Sequence, residues 1–240
     1  MEASEIRRIA RDNLAGNWWL SVGVAFVAGL LGALVSGSGF SFTINEEILY
    51  RLPTSFLIFF SVLSVFGSIL SLVQFIIGGT VQLGYVTYLL KQHDRASFDF
   101  NDLFSQFHRF GQGFAQAFLR GLYTTLWTLL FIIPGIVKSF SYAMTPFIMA
   151  ENPDMTANEA ITASRELMDG HKAELFVVRL SFIGWVLLSS LSFGIGYLFL
   201  NPYMNAADAA FYRAITSTPE VQQSSINYIS QYLPERTGEE

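Results

Sequence analysis

Five side chains that could carry chemistry lie inside or beside long apolar stretches of the sequence. Arg120 and Arg179 stand in apolar runs, and Asp208 is the only acid well inside such a run. Lys138 and Tyr142 follow a Pro-Gly pair. A guanidinium group in an apolar segment either extends to lipid phosphates at the membrane surface or faces a site inside a helix bundle. These five residues are our candidates for binding a lipid headgroup or another anion, and both alternatives remain open.

Arg179 and Asp208 are predicted to form an ion pair. Each lies five residues inward from a charged residue near the cytoplasmic end of its segment, so both should lie about 7.5 Å deep. A turn predicted at Asn201-Pro202 would make the two segments antiparallel neighbours. Arg120 is the rival partner, because it stands nine residues after Gly111 as Arg179 stands nine after Gly170.

The sequence carries none of the common catalytic or nucleotide-binding motifs. It has no Cys, and the three His residues are scattered over different segments. We find no GxGxxG, Walker A, GxSxG or HExxH pattern, and no His and carboxylate residues with the spacing of metal ligands. We therefore expect no enzymatic activity, no cofactor and no metal site.

Composition indicates a chain dissolved largely in lipid. Of its 240 residues, 52% are hydrophobic and 14% are charged, against about 25% charged in a typical soluble domain. The mean hydropathy is +0.41. The net charge of −5 implies no nucleic-acid-binding surface. The lipid bilayer is the first partner that we expect.

Uncharged runs predict six membrane segments, since a span needs about 20 apolar residues. Gly78-Gly79 is predicted to kink the second segment or end it, and Pro134-Gly135 is predicted to form a hairpin turn. The fourth and sixth segments are short, and could be tilted or enter only part of the bilayer. The segments cover residues 18–37, 55–77, 113–133, 136–150, 174–200 and 203–216.

Lys and Arg residues indicate the orientation of these segments. Most of them lie just before the first, third and fifth segments or near the chain ends. By the positive-inside rule, this places both termini in the cytoplasm. Lys138 is expected toward the outer side, and Arg165 toward the cytoplasm. We thus expect one multi-pass plasma-membrane domain over residues 1–216, and a polar cytoplasmic tail over residues 217–240.

Three cytoplasmic entrances resemble one another, and suggest an internal repeat. Each has an amphipathic stretch, then a glycine (Gly16, Gly111 or Gly170), then a membrane segment. A glycine at the end of an interfacial helix lets the chain turn from lying along the membrane to crossing it. The predicted fold is an all-α polytopic bundle of three hairpins, each preceded by an amphipathic helix on the cytoplasmic surface.

Several motifs resemble a known bacterial family. They include FIIPGIVK at 131–138, SRELMDGHK at 164–172, LSFIGW at 180–185 and PY at 202–203. Together they resemble the domain-of-unknown-function family 975, over residues 4–216. The chain is also distantly similar to the membrane domain attached to some glycerophosphodiester phosphodiesterases. The resemblance implies a multi-span plasma-membrane protein without an assigned activity, and it carries over no catalytic residues.

Two functions from different classes fit the sequence, and an integral-membrane enzyme is a third. The first is a non-enzymatic membrane scaffold or accessory subunit, which pairs with itself as a homo-oligomer or with other membrane proteins. The second is a transporter or a protein that handles lipids or anions, with anionic lipid headgroups as ligands. A transporter should have a polar cavity lined by Arg120, Arg179 or Asp208. A scaffold should have a packed interior and an exposed apolar groove.

Overall fold

All regular secondary structure is helical in the residues that the computed structural model describes, which are 2–32, 54–192 and 194–217. No strand occurs within these ranges, so the predicted all-α class is confirmed. Two short 3-10 helices, Phe100–Phe104 and Phe107–Arg109, follow the third helix. The α-helices are α1 Ala3–Leu14, α2 Trp18–Leu30, α3 Thr54–His93, α4 Phe110–Leu130, α5 Ile132–Ser141, α6 Thr145–Glu151, α7 Ala157–Leu167, α8 Lys172–Leu180, α9 Ile183–Leu191 and α10 Ile195–Thr216.

Three helical stretches are long and apolar enough to cross a membrane. They are Ser64–His93 within α3, Ile132–Glu151 across α5 and α6, and Lys172–Leu191 across α8 and α9. The α2 helix is apolar but shorter. Membrane-length helices are thus present, whereas the arrangement of six segments in three hairpins stays a prediction.

Helix α3 is continuous through Gly78 and Gly79, where the kink or end of the second membrane segment stays a prediction. It has 40 residues and a length of about 60 Å. A side chain at Gly78 would overlap the backbone of Gly32, and one at Gly79 would overlap the carbonyl of Gly113. The two glycines therefore serve helix packing, because they let α2 and α4 approach the backbone of α3 closely.

The hairpin turn predicted at Pro134-Gly135 is misplaced, because both residues lie inside α5 and the helix break comes three residues before Pro134. Phe131 is extended, with φ −154° and ψ 135°, between α4 and α5. Pro134 lies in the first turn of α5, where the missing N–H leaves no helical bond unmade. Gly135 packs directly on Thr128 of α4, which holds the two helices together.

The turn predicted at Asn201-Pro202 is wrong, and with it the limits of the fifth and sixth segments. Both residues lie inside α10. The chain turns instead at Gly194, whose φ of +86° is left-handed and favours glycine. Gly196 of α10 then packs on Ser189 of α9. A proline within a helix is tolerated when neighbouring groups satisfy the freed carbonyl, which the local sequence does not reveal.

The helices form two regions with different surroundings. The packed region comprises α1, residues 77–109, α6, α7 and residues 200–217. It holds fully buried large side chains such as Leu14, Tyr88, Met149 and Phe211. The apolar region comprises residues 58–76, 126–137 and 183–199, where large hydrophobic side chains are exposed, Leu129 at 84% and Leu191 at 83%.

Helix α1 has the predicted apolar face but a different neighbour. Ile6, Ala10 and Leu14 are fully buried, and they pack mainly against α10. The Arg7 guanidinium donates to the Ser181 carbonyl at 3.2 Å, and the Tyr203 hydroxyl donates to the Arg7 carbonyl at 3.1 Å. The apolar face of α1 is therefore covered by protein rather than left for the lipid surface that we predicted.

Two of the three glycines of the predicted repeat end a helix, whereas the repeat of three hairpins stays a prediction. Gly16 and Gly170 adopt left-handed φ angles of +86° and +82°, as expected at helix ends. The sequence Thr156-x-x-Glu159 is a capping-box pattern, and the structure confirms the capping box at the start of α7. Gly111, however, lies inside α4, and two 3-10 helices replace the amphipathic α-helix predicted before it. The tail prediction lies outside the described residues apart from Ser217.

Candidate functional site

The predicted ion pair between Arg179 and Asp208 is confirmed. Nη2 of Arg179 lies 3.0 Å from Oδ2 of Asp208, and Nε donates to Oδ1 at 3.5 Å. The side chains are 39% and 20% exposed. The paired contact joins α8 to α10, and the Arg179 guanidinium also lies 5.5 Å from the ring of Phe140. The pair forms although the turn that we expected to align the helices is elsewhere.

Arg120 lies near this pair but hydrogen-bonds to a neutral amide. Its Nη2 donates to Oε1 of Gln82 at 3.0 Å, and Gln116 Nε2 donates to the same oxygen at 3.3 Å. Arg120 is close enough to Arg179 for the two charges to repel. We call these five residues (Gln82, Gln116, Arg120, Arg179 and Asp208) the interior cluster. Two guanidinium groups and one carboxylate give it one net positive charge.

Gln116 is the most enclosed member of the interior cluster. Its side chain is fully buried, and its Oε1 has no hydrogen-bond partner within the described residues. Its Nε2 also lies 3.5 Å from the carbonyl of Gly79. The crossing of α3 and α4 at Gly79 and Gly113 therefore brings Gln116 and Gln82 together.

Lys138 and Tyr142 do not join the interior cluster. Nζ of Lys138 lies 4.9 Å from the ring centre of Trp127, and the ring of Tyr142 lies 6.4 Å from that of Tyr123. A cavity of about 260 Å³, the polar cavity, opens beside these rings. It is lined by Tyr123, Trp127, Tyr142, Asn158, Ile161, Thr162 and Arg165.

The polar cavity brings Lys138 and Arg165 near one another, although they were predicted on opposite sides of the membrane. We expected Lys138 toward the outer side of the membrane and Arg165 toward the cytoplasm. In the structure, Lys138 reaches Trp127, and Trp127 lines the same cavity as Arg165. Lys138 and Arg165 therefore lie near the same cavity, and their sides of the membrane stay a prediction.

A second, larger cavity is an apolar groove between α9 and α10. It has a volume of about 690 Å³. Arg11 and Trp18 border it, which places it beside the end of α1 and the start of α2. The other lining residues are Trp185, Leu188, Ser189, Leu191, Ser192, Gly196, Phe199, Leu200 and Tyr203. We call this cavity the apolar groove, and no residue of the interior cluster lines it or the polar cavity.

Ion pairs in the packed region connect the ends of three helices. Arg213 of α10 forms ion pairs with Asp94, just after α3, and with Glu151 at the end of α6. The Tyr212 hydroxyl donates to Glu151 at 2.6 Å. Within the described residues, no group of three or more His, Asp and Glu side chains is arranged to hold a metal ion.

The sequence matches the model of one protein family. The model of the family described as "Protein of unknown function (DUF975)" matches residues 1–142 and 129–219. The chain belongs to the DUF975 family. No curated protein and no solved structure matches it. The distant similarity to the phosphodiesterase membrane domain therefore stays a prediction.

In this DUF975 protein, sequence reasoning missed the two glutamines of the interior cluster and the α7 side chains that line the polar cavity. Gln82 and Gln116 interrupt apolar helices, and that polarity is a signal that could have identified them. Asn158 and Thr162 lie one turn apart on α7, and so share a face with Arg165. Arg165 had been used only to assign orientation.

Proposed function

We propose that this DUF975 protein is a multi-pass plasma-membrane protein that acts as a non-enzymatic scaffold or accessory subunit. The exposed side chains of the apolar region support membrane residence, because soluble proteins rarely expose such continuous apolar surface. The Lys and Arg bias supports cytoplasmic termini. The packed region then lies at the cytoplasmic side, with its ion pairs in or near water.

The apolar groove carries the proposal for a scaffold. Its occupant is an apolar transmembrane helix of a partner membrane protein. Trp185 and Phe199 offer large aromatic surfaces, which often dominate binding energy at interfaces. Ser189, Ser192 and Gly196 are small residues of its wall, and helices in lipid associate through close contacts at such small residues.

The interior cluster supports a scaffold over a transporter. The Arg179 charge is neutralised by Asp208, and Arg120 is held by Gln82. These contacts fix α8 to α10 and α4 to α3. A transporter would instead need its charged side chains on a cavity that a substrate can enter.

Site-specific photocrosslinking in cells tests this function. A photoreactive residue at Leu188 lies in the groove, whereas one at Leu129 lies on an equally apolar surface of α4 outside it. We expect position 188 to crosslink one membrane protein that also co-purifies with the unmodified chain, and position 129 to crosslink lipid.

Matched groove-filling variants complete the test. Leu188→Trp should fill the groove and reduce co-purification of that partner about tenfold, a loss typical of an interface hot spot. Leu129→Trp makes the same change outside the groove and should leave co-purification unchanged. Equal crosslinking from both positions, or equal co-purification with both variants, would contradict a docking role for the groove.

A transporter or a lipid- or anion-handling protein is the second candidate. The net positive charge of the interior cluster and the unpartnered Oε1 of Gln116 favour it. Proteoliposomes containing a fluorescent anionic phospholipid provide the test. Translocation by the wild-type chain that is lost in Arg120→Gln would replace the scaffold with this function.

A further inference from the structure

The polar cavity is lined by groups that attract an anion. Arg165 is exposed and lies on α7 beside Thr162 and Asn158, and the Tyr123 hydroxyl donates to Oδ1 of Asn158 at 3.4 Å. No carboxylate stands among the described residues that line the cavity. The guanidinium group of Arg165 therefore dominates the electrostatics of the cavity.

A second cation lies next to the cavity. Nζ of Lys138 is 4.9 Å from the ring centre of Trp127, which is part of the cavity wall. The nearest acids on α7 do not cancel these charges. Glu159 accepts from the backbone N–H of Thr156 in the capping box, and Glu166 follows Arg165 directly, so the two side chains leave the helix on different faces.

The surface next to the cavity is apolar and exposed. Beyond Trp127, the α4–α5 hairpin ends in large aliphatic side chains, with Leu129, Ile132 and Ile133 between 70% and 84% exposed. Tyr and Trp rings such as those of Tyr123 and Trp127 are enriched where lipid headgroups meet hydrocarbon. A ligand that matches this surface would have an anionic head beside the rings and apolar chains along the hairpin tip.

We propose that the polar cavity binds the phosphate of an anionic phospholipid headgroup. Arg165 donates to the phosphate oxygens, Lys138 supplies the second positive charge, and the acyl chains lie against the tip of the α4–α5 hairpin. The volume of about 260 Å³ suits a headgroup rather than a whole lipid, because sites for drug-sized ligands have about 300–1,000 Å³. The proposal rests on the proposed membrane residence, and it is independent of the scaffold role.

Native mass spectrometry of the full chain in neutral detergent can measure this binding. The probes are dioleoylphosphatidylglycerol, which is anionic, and dioleoylphosphatidylcholine, which is neutral overall. We expect the wild-type chain to retain the anionic lipid at lower concentrations than the neutral one. Arg165→Gln should weaken binding of phosphatidylglycerol about tenfold, the loss expected for one charge-assisted contact. Lys138→Gln should weaken it less, because Lys138 lies outside the cavity wall.

Two control variants separate a local contact from general charge and from misfolding. Arg95→Gln removes an exposed cation outside the cavity and should leave lipid binding unchanged. Arg165→Lys keeps the charge but loses the paired donors, so its affinity should fall between those of the wild type and Arg165→Gln. Because Arg165 is exposed, size exclusion and thermal melting should show all these variants folded.

The remaining outcomes would overturn the proposal. Equal retention of the two lipids, or phosphatidylglycerol binding by Arg165→Gln at the wild-type level, would exclude an anionic headgroup site. Displacement of the lipid by millimolar inorganic phosphate would assign the cavity to a free anion instead. Failure of the chain to fractionate with membranes would contradict the proposed membrane residence, and is measured separately from these affinities.

Discussion

The packed region and the apolar region place the same kinds of residue in opposite surroundings. Helix α3 belongs to both. Its side chains Ile58 and Phe66 are 60% and 64% exposed, whereas Leu83 and Tyr88, further along the same helix, are fully buried. The exposed half measures about 28 Å along the helix axis, close to the thickness of the hydrocarbon layer. The two halves of one helix thus have different surroundings. Protein surrounds one half and, we infer, lipid surrounds the other.

Polar contacts between helices are more frequent in the packed region than in the apolar region. In the packed region many polar side chains bind partners on other helices, as Tyr88 and Gln92 bind Ser21 of α2. In the apolar region, hydroxyl groups donate to a carbonyl three or four residues earlier in their own helix. Such local bonds satisfy a hydroxyl where no water or partner is available. They are made by Ser61, Ser68, Thr128 and Ser190.

The largest expected effect comes from the crossing of α3 and α4. A Cβ at position 79 would lie 2.7 Å from Cβ of Ala117 and would overlap the Gly113 backbone. Gly79→Leu should therefore destabilise the fold by about 3 kcal/mol or more, measured as the loss of monodisperse protein on heating in detergent. Gly67→Leu, on the same helix with open space around it, should melt like the wild type. Equal melting of the two variants would show that the crossing is not tightly packed.

The next effect comes from the ion pair between α8 and α10. Asp208→Asn leaves Arg179 without its carboxylate, and should cost about 1–3 kcal/mol, less than a fully buried pair because Arg179 is 39% exposed. The double change Arg179→Asp with Asp208→Arg should retain more folded protein than either single change. Asp169→Asn removes the exposed partner of Lys172, and thermal melting should detect almost no effect. No recovery in the double variant would mean that the pair adds nothing.

A smaller, salt-dependent effect should come from Arg213. Arg213→Gln removes its ion pairs with Asp94 and Glu151, at a cost of about 1 kcal/mol. Hydrogen exchange should rise around the ends of α3 and α6, and should stay unchanged in the apolar region. The difference from the wild type should shrink at 1 M salt, where the screening length falls to about 3 Å. A uniform rise over all helices would mean that the two regions unfold together.

The smallest effect should follow truncation in the apolar region. Leu129→Ala removes a side chain that is 84% exposed, and it should change stability in detergent by less than about 0.5 kcal/mol. Leu14→Ala removes a fully buried side chain of the packed region and should cost about 2–5 kcal/mol. Comparable losses in thermal melting would indicate that Leu129 is covered by protein in solution.

Local patterns in the sequence predicted a large part of this structure. The helical class, the apolar face of α1 and the capping box at Thr156 depend on residues within a few turns of one another. The contact between Arg179 and Asp208 was predicted from equal depth in the membrane. The misplaced turn does not affect this prediction, because the depth of each residue was counted from the cytoplasmic end of its segment and not from the turn.

Contacts between distant segments account for what the sequence did not predict. Gly79 is of a type that favours a kink or the end of a segment. It is a packing site because the backbone of Gly113 lies opposite it. The polar cavity needs α7 to lie against α4, so Arg165 could not be placed beside Lys138 from spacing alone. At Gly194 the backbone conformation, and not an Asn-Pro motif, defines the turn.

Cysteine accessibility in sealed membranes tests the central claim, that lipid surrounds the apolar region while the packed region faces the cytoplasm. The chain has no Cys, so Arg95→Cys, Leu129→Cys and Leu191→Cys each introduce a single thiol. With a membrane-impermeant maleimide, Arg95→Cys should label in inverted vesicles but not in intact cells. Leu129→Cys and Leu191→Cys should label in neither until detergent is added. Labelling of these two positions in sealed membranes as fast as Arg95→Cys would contradict the account.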